Sequence, residues 1–287
     1  VSLDFDVDRY LARLGVAATG PPSVEGLRTL HRAHAERVPY ENLEIQLGRP
    51  TSVNPMESAA RIIGGRGGYC YHLNGAFALL LSALGYGVRR HWAGVQGWGD
   101  ARPVGANGNH LALTVHGLPS RENPDGMWFV DVGLGDALHE PLPLRAGEFA
   151  DGPFRFGLAP STVEFLGWRF THDRVGSFTG MDFRADLATE TDFAGRHEWL
   201  STDERSPFLQ VATVLRRDAG GADVLRGRVY RRLPGGTGRE LDSPDEWFAL
   251  LADVFGLTLA DVPVPERQAL WRRIGAAHEA WQGQAAG

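Results

Sequence analysis

Near Gly85 the hydrophobic period of this chain changes from the helical repeat of about 3.6 residues to the alternation of a strand, and the switch limits what the chain can fold into. Before it, apolar residues recur at helical spacing. Ser23 can cap a helix in which Leu27, Leu30, His31 and His34 share one face. Asn54-Pro55-Met56-Glu57 supplies a second N-cap, with proline at the first helical position and glutamate at the third. A third helical pattern, Tyr71, Phe77, Leu80, Leu81 and Leu84, begins at Cys70 and stops at Gly85. After the switch come short alternating runs, Val88 to Val95, His110 to His116, Met127 to Val132 and Val163 to Phe170, set apart by clusters of Gly, Pro, Asn and Asp. These predict an antiparallel sheet or barrel. Two more strand-like runs, Leu209 to Arg216 and Val224 to Arg232, precede two late helices. The first opens on the capping box Ser243-Pro244-Asp245-Glu246, and the second runs from about Pro265 to Gln282. Helices, then strands, then a mixed tail predict an α+β chain of three units, residues 1–85, 86–195 and 196–287, since 287 residues exceed one ordinary core.

Composition narrows the function. With 43% hydrophobic and 22% charged residues the chain is globular, and no apolar run approaches the roughly 18 residues of a membrane span. A net charge of -6 argues against nucleic acid or an anionic membrane as the main partner. All 29 basic residues are arginine, which excludes a Schiff-base lysine, a phosphate-loop lysine and a serine–lysine dyad. A single cysteine cannot form an internal disulfide, which predicts a cytoplasmic protein in a reducing compartment. His31 and His34 suggest a metal pair, but with one cysteine and no matching third ligand the prediction is no metal.

The single cysteine, Cys70, sits in Arg66-Gly67-Gly68-Tyr69-Cys70-Tyr71-His72-Leu73-Asn74-Gly75, where a glycine-rich turn enters the third helix. At a helix N-terminus, unpaired N–H groups and the positive end of the dipole favour a thiolate and offer donors to an oxyanion. A core cysteine needs no permissive backbone before it, so the glycines favour a nucleophile over a small buried hydrophobe.

A cysteine nucleophile needs a base to take its proton and a third group to orient that base. His110 begins one strand-like run and Asp131 lies near the end of the next, with a turn-rich loop from Gly117 to Gly126 between them. If the two runs pair as a hairpin, His110 and Asp131 become neighbours, although a slip of one residue would turn Asp131 to the wrong face. His116, at the loop end, would be roughly 20 Å from His110 at about 3.3 Å per residue. His72 follows Cys70 by two positions, which on a helix point well apart. His91, among Arg89, Arg90 and Trp92, reads as surface or packing.

These residues lie within a chain that resembles the arylamine N-acetyltransferase family. Arg66-Gly67-Gly68-Tyr69-Cys70 is similar to the family's RGGxC signature, and Val130-Asp131-Val132-Gly133-Leu134-Gly135 to its VDVGFG segment. Pro39-Tyr40-Glu41-Asn42-Leu43, Trp199-Leu200-Ser201-Thr202 and Ser206-Pro207-Phe208 also match in kind and order. The resemblance extends from about Tyr10 to beyond Arg232. It implies a helical first domain, a β-barrel second domain and an α/β lid, around a core like that of cysteine proteases. It also implies a Cys70-His110-Asp131 triad that takes an acetyl group from acetyl-CoA and passes it to an arylamine, hydrazine or arylhydroxylamine by ping-pong kinetics, in xenobiotic metabolism. No tightly bound cofactor is implied, and the oligomeric state is left open. Gly133, Gly135 and Phe208 would meet the cosubstrate, and Tyr40, Tyr71, Val95 and Leu134 would line the acceptor pocket. Two positions depart from the family: His72 stands where relatives commonly carry glutamate, and Leu134 where they carry phenylalanine. Readings that keep the same thiol are an amide synthase acting on a larger polyketide acyl chain, a thioester hydrolase and a binding module without catalysis.

Overall fold

The computed structural model describes residues 5–17 and 20–285. Five helices open the chain: α1 (Val7–Leu14), α2 (Val24–Arg37), α3 (Leu43–Gln46), α4 (Pro55–Ile63) and α5 (Cys70–Ala83). The expected caps form, with Ser23 Oγ accepting from Gly26 N at 3.1 Å and Asn54 Oδ1 from Met56 N at 2.9 Å. Helices α1 and α3 add to the three read from the sequence; α3 is a single turn, too short to show a period. Helix α5 is apolar on all sides and buried at every position from Cys70 to Ala78, as a helix enclosed by other elements must be.

A two-residue strand, β1 (Tyr40–Glu41), precedes eight that form one antiparallel sheet. These are β2 (Gly87–Gln96), β3 (His110–His116), β4 (Trp128–Val130), β5 (Leu142–Pro143), β6 (Gly147–Asp151), β7 (Phe154–Pro160), β8 (Trp168–Thr171) and β9 (Gly180–Leu187). In the order β5-β4-β3-β2-β9-β8-β7-β6 they curl into a nearly closed barrel, the two edge strands being neighbours in sequence. Alternation buries both faces of β3. Leu111, Leu113 and Val115 meet the helices, while Ala112 joins Phe129, Phe154, Phe156, Phe170 and Phe183 in a second apolar cluster.

The tail continues through α6 (Ala194–Thr202), α7 (Pro207–Gln210), β10 (Thr213–Asp218), β11 (Gly221–Arg226), β12 (Val229–Leu233), β13 (Arg239–Glu240), α8 (Pro244–Phe255) and α9 (Val264–Ala285). Its four strands form a second sheet that β1 completes at the edge, Tyr40 pairing with Leu215. The cores cross the chain's segments: Leu43 packs with Trp247, Leu251 and Phe255, and Leu215 and Val224 join the barrel phenylalanines.

Three expected strands differ. Val163 to Phe170 is strand only from Trp168, because Ser161 Oγ accepts from Val163 N and Glu164 N and folds the preceding residues into a turn. The start of Leu209 to Arg216 belongs to α7, which Ser206 caps and Pro207 initiates. Val224 to Arg232 is a hairpin: Arg226 pairs with Val229 around the two-residue turn Gly227-Arg228.

Phe77 lies on α5 beneath α2, with no exposed surface. Phe77→Ala is expected to cost about 3–5 kcal/mol, read as a lower urea midpoint at unchanged m.

Candidate active site

The glycine-rich turn has a steric origin. A Cβ on Gly67 would lie 2.0 Å from Pro39 O, so only glycine lets the turn press against the strand entering β1. There Glu41 N donates to Gly68 O at 2.9 Å, and Gly67 N donates to Glu41 Oε1 at 3.3 Å. Arg66 pairs with Glu44 at 2.5 Å and with Asp261 at 3.2 Å, tying the turn to α3 and to the loop before α9. These bonds aim the start of α5, with Tyr69 as N-cap and Cys70 as first residue. Cys70 is buried, its Sγ 3.8 Å from Asn109 O. Among the described backbone hydrogen bonds, the N–H groups of Cys70 and Tyr71 donate to no carbonyl, as expected of a first helical turn.

His110 and Asp131 meet at this end of α5. Leu113 pairs with Val130, and one further step of that register sets Asp131 opposite Ala112, two residues from His110. His110 Nε2 lies 2.8 Å from Asp131 Oδ2 with both side chains buried. Burial disfavours the charged imidazole, but the Asp131 carboxylate, hydrogen-bonded to the ring, and the nearby Cys70 side chain outweigh it and push its pKa up to about 10. The other Asp131 oxygen accepts from Asn74 Nδ2 at 2.8 Å and Gly133 N at 2.9 Å, so the carboxylate is held on three sides. Asn74 also donates to Leu111 O at 2.6 Å and accepts from Val132 N at 2.9 Å. No role was read for Asn74 from the sequence, yet its signal was there: it follows Cys70 by four positions, on the same helix face.

The other nominated residues surround this cluster in different ways. Gly133 lies against α5, where a Cβ would come 2.8 Å from Cys70 Cα and 3.0 Å from Asn74 Nδ2. Gly135 backs onto Leu215, across a small gap it shares with Tyr40 and Asp131. Phe208 sets its ring edge-on to Tyr69 at 4.9 Å, and its carbonyl accepts from Asn42 at 3.0 Å and Gln46 at 2.6 Å. Tyr71 donates from its hydroxyl to Gly108 O at 2.7 Å. Val95 N donates to Asn109 Oδ1 at 2.7 Å, so β2 reaches the thiol through Asn109. Tyr40 is half-buried, and burial, followed by the nearby Cys70, pushes its phenol well above the ordinary range. Leu134 is buried among the barrel's apolar residues.

His72 points away from the thiol. Its Nδ1 accepts from Tyr69 N at 3.4 Å, its ring meets Tyr69 and His197, and burial holds its pKa well below the usual value. His91 bonds Thr114 Oγ1 at 2.8 Å, and His34 bonds Tyr10 at 3.0 Å.

A cleft of about 390 Å³ opens between the tail sheet and α9. Gln46, Gln210, Ala212, Val224, Arg226, Arg231 and Trp281 are among its lining residues. Among the described residues neither Arg226 nor Arg231 forms an ion pair. Gln46 joins the cleft to the cluster, because it holds the Phe208 carbonyl whose ring rests on Tyr69. The two arginines lie on paired strands of a hairpin that the sequence presented as a single run, which hid them.

Gly133→Ala is expected to keep the fold by circular dichroism while slowing iodoacetamide alkylation of Cys70 about 10- to 100-fold, because the added methyl must displace the Cys70 backbone.

The chain as a whole is similar to known proteins. A family model described as N-acetyltransferase matches residues 23–263. The arylamine N-acetyltransferase of Escherichia coli (strain K12) is 32% identical over 263 residues, 89% of this chain and 90% of that protein. The arylamine N-acetyltransferase / N-hydroxyarylamine O-acetyltransferase of Salmonella typhimurium is 30% identical over 263 residues, 88% and 89% of the two chains. Among solved structures, Mycobacterium marinum arylamine N-acetyltransferase in complex with CoA covers 94% of this chain and 98% of its own at TM-score 0.82 and 26% identity. With α2 to α8, the barrel and the tail sheet inside the matched span, the chain belongs to the arylamine N-acetyltransferase family and is an acyltransferase.

Proposed function

We propose that the protein moves an acetyl group from acetyl-CoA through a Cys70 thioester to the nitrogen of an arylamine, hydrazine or arylhydroxylamine. The observation that carries this reading is the buried His110–Asp131 pair close to Cys70 at the start of α5. The Cys70 thiolate attacks the acetyl carbonyl, the bond to the CoA sulfur breaks, and the departing thiolate takes a proton from His110. The amine then attacks the thioester carbonyl, gives its proton to His110, and the Cys70 thiolate leaves. Asp131 holds the ring and offsets its charge through both half-reactions. The N–H groups of Cys70 and Tyr71, without a carbonyl partner among the described backbone hydrogen bonds, would meet the oxyanion of each tetrahedral intermediate.

Cosubstrate binding falls to the cleft beside α9. Two unpaired arginines suit the phosphates of CoA, apolar Ala212 and Val224 the pantetheine arm, and Trp281 an adenine ring. The acceptor would enter past Tyr40, Tyr71, Val95 and Leu134, and Gly133, Gly135 and Phe208 would flank the acyl arm. The helical, barrel and tail units, 1–85, 86–195 and 196–287, then contribute nucleophile, base with carboxylate, and cosubstrate cleft. A free thiol as acyl carrier suits a reducing compartment, the cytoplasm. Relatives matched over nearly their whole length are arylamine N-acetyltransferases, which favours a small acyl group over a polyketide chain.

Brief incubation with acetyl-CoA is expected to add about 42 Da to the intact protein and nothing to Cys70→Ala. His110→Ala and Asp131→Ala should both lose the adduct while His72→Ala keeps it; an active His110→Ala with a dead His72→Ala would overturn the assignment. CoA release should require added aniline or hydralazine, and release as fast without amine would make the protein a hydrolase. Arg226→Ala and Arg231→Ala should raise KM for acetyl-CoA with little change in kcat.

The His110 pKa sets a pH window. Its value, about 10, lies above the ordinary 6.5 that the unfolded chain presents. The bound proton therefore adds stability that is fully present below 6.5 and is lost as pH rises through about 10. The Tm difference between wild type and His110→Gln should shrink steadily between those limits, and a difference that grows would contradict the charge pairing.

A further inference from the structure

The loop that carries Asp131 runs from the end of β4 to β5, and helix α2 lies behind it. Arg28 and Arg32 pair with Glu140 at 3.6 and 3.0 Å, and Glu36 with His139 Nε2 at 2.7 Å, so α2 grips the far end of the loop. His31 on the same helix reaches both ends. Its Nδ1 lies 2.9 Å from His139 O, and its Nε2 lies 3.3 Å from the N–H of Asp131. A carbonyl can only accept and an amide N–H can only donate, so a single form of the ring satisfies both: neutral, with the proton on Nδ1 and the Nε2 lone pair facing Asp131. The ring has no exposed surface and sits edge-on to Phe77 at 6.0 Å, which leaves it no room to turn to another partner.

The carboxylate of Asp131 is fixed by His110, Asn74 and Gly133, but Gly133 belongs to the same loop and moves with it. From outside the loop, Asn74 holds the backbone N–H of Val132, and among the described hydrogen bonds the amide of Asp131 itself is held by His31. Since His31 also binds His139 O, the ring spans residues 131–139 as a strut and sets how far Asp131 projects toward His110. We propose that His31 is a positioning residue for the acyl-transfer site, acting through the Asp131 amide without touching the reacting atoms. The proposal rests on the Cys70-His110-Asp131 reading given above.

Two substitutions separate positioning from packing. His31→Leu fills the space but makes neither bond, whereas the amide of His31→Gln can donate to His139 O and accept from Asp131 N. With the intact protein, iodoacetamide alkylation of Cys70 is measured across pH 6–11, normalised to the fraction of molecules that incorporate one label. The expected result is an alkaline limb that moves to lower pH in His31→Leu, as a slackened Asp131 ceases to hold the His110 proton, and returns toward wild type in His31→Gln. With acetyl-CoA and an arylamine, kcat should fall about 10- to 100-fold in His31→Leu, recover in His31→Gln, and leave KM for acetyl-CoA unchanged. A wild-type alkaline limb in His31→Leu, or equal losses in both variants that follow Tm alone, would overturn the proposal. Wild-type protein that alkylates rapidly but turns over no acetyl-CoA would refute the substrate reading, while the alkylation comparison still judges the strut.

Discussion

A charged imidazole with almost no exposed surface exists only where a carboxylate and a second acidic group stand against it, because the cost of leaving water must be offset within a few ångströms. His110 is such a group, and much of the surrounding structure serves the pair it makes with Asp131. Asn74 occupies the second carboxylate oxygen from α5. Gly133 brings the loop onto Cys70. Behind the loop, His31 holds the Asp131 amide. Helical layer and barrel are therefore joined at the place where the proposed chemistry occurs, and their shared apolar core of Phe77, Leu80, Leu111, Leu113 and Val130 keeps that junction rigid.

The tail sheet is joined to the same place by different means. Strand β1 leaves the helical layer to complete the tail sheet, and Asn42 immediately after it bonds Phe208 O, Val211 O and Thr213 N. Arg66 reaches the loop before α9 from the turn that precedes Cys70. The segment Tyr40-Glu41-Asn42-Leu43 and the arginine of the glycine turn are thus couplers between layers. Displacing either would move the cleft beside α9 relative to the thiol.

Long periodic elements were legible in the sequence. Helix α5, strands β2 and β3 and the capped starts of α2, α4 and α8 stand close to where pattern and capping residues put them, because burial of one face and satisfaction of the first N–H groups are local demands. The strands that were misread failed where a side chain competes with the ladder, as Ser161 does, or where a two-residue turn hides inside an apolar run, as at Gly227-Arg228. Cys70, His110 and Asp131 could be nominated because each lies at the end of an element with a readable direction. Asn74 carried only the signal of its spacing from Cys70, and His31 and the two cleft arginines carried none for the site, since the groups that Asn74 and His31 bond lie 37 to 108 residues away and the arginines form no ion pair among the described residues.

By itself the sequence determined where Cys70 sits on its helix, that no lysine chemistry operates, and which strands alternate. The tertiary structure decided the register that sets Asp131 opposite Ala112, the direction in which His72 points, and the ring form that His31 must hold. The reason is one of range. Helix starts and strand alternation are fixed by neighbours a few residues apart, whereas the ionisation of His110 depends on groups brought from 40 residues before it and 21 after it, together with the exclusion of water that only the packed core provides.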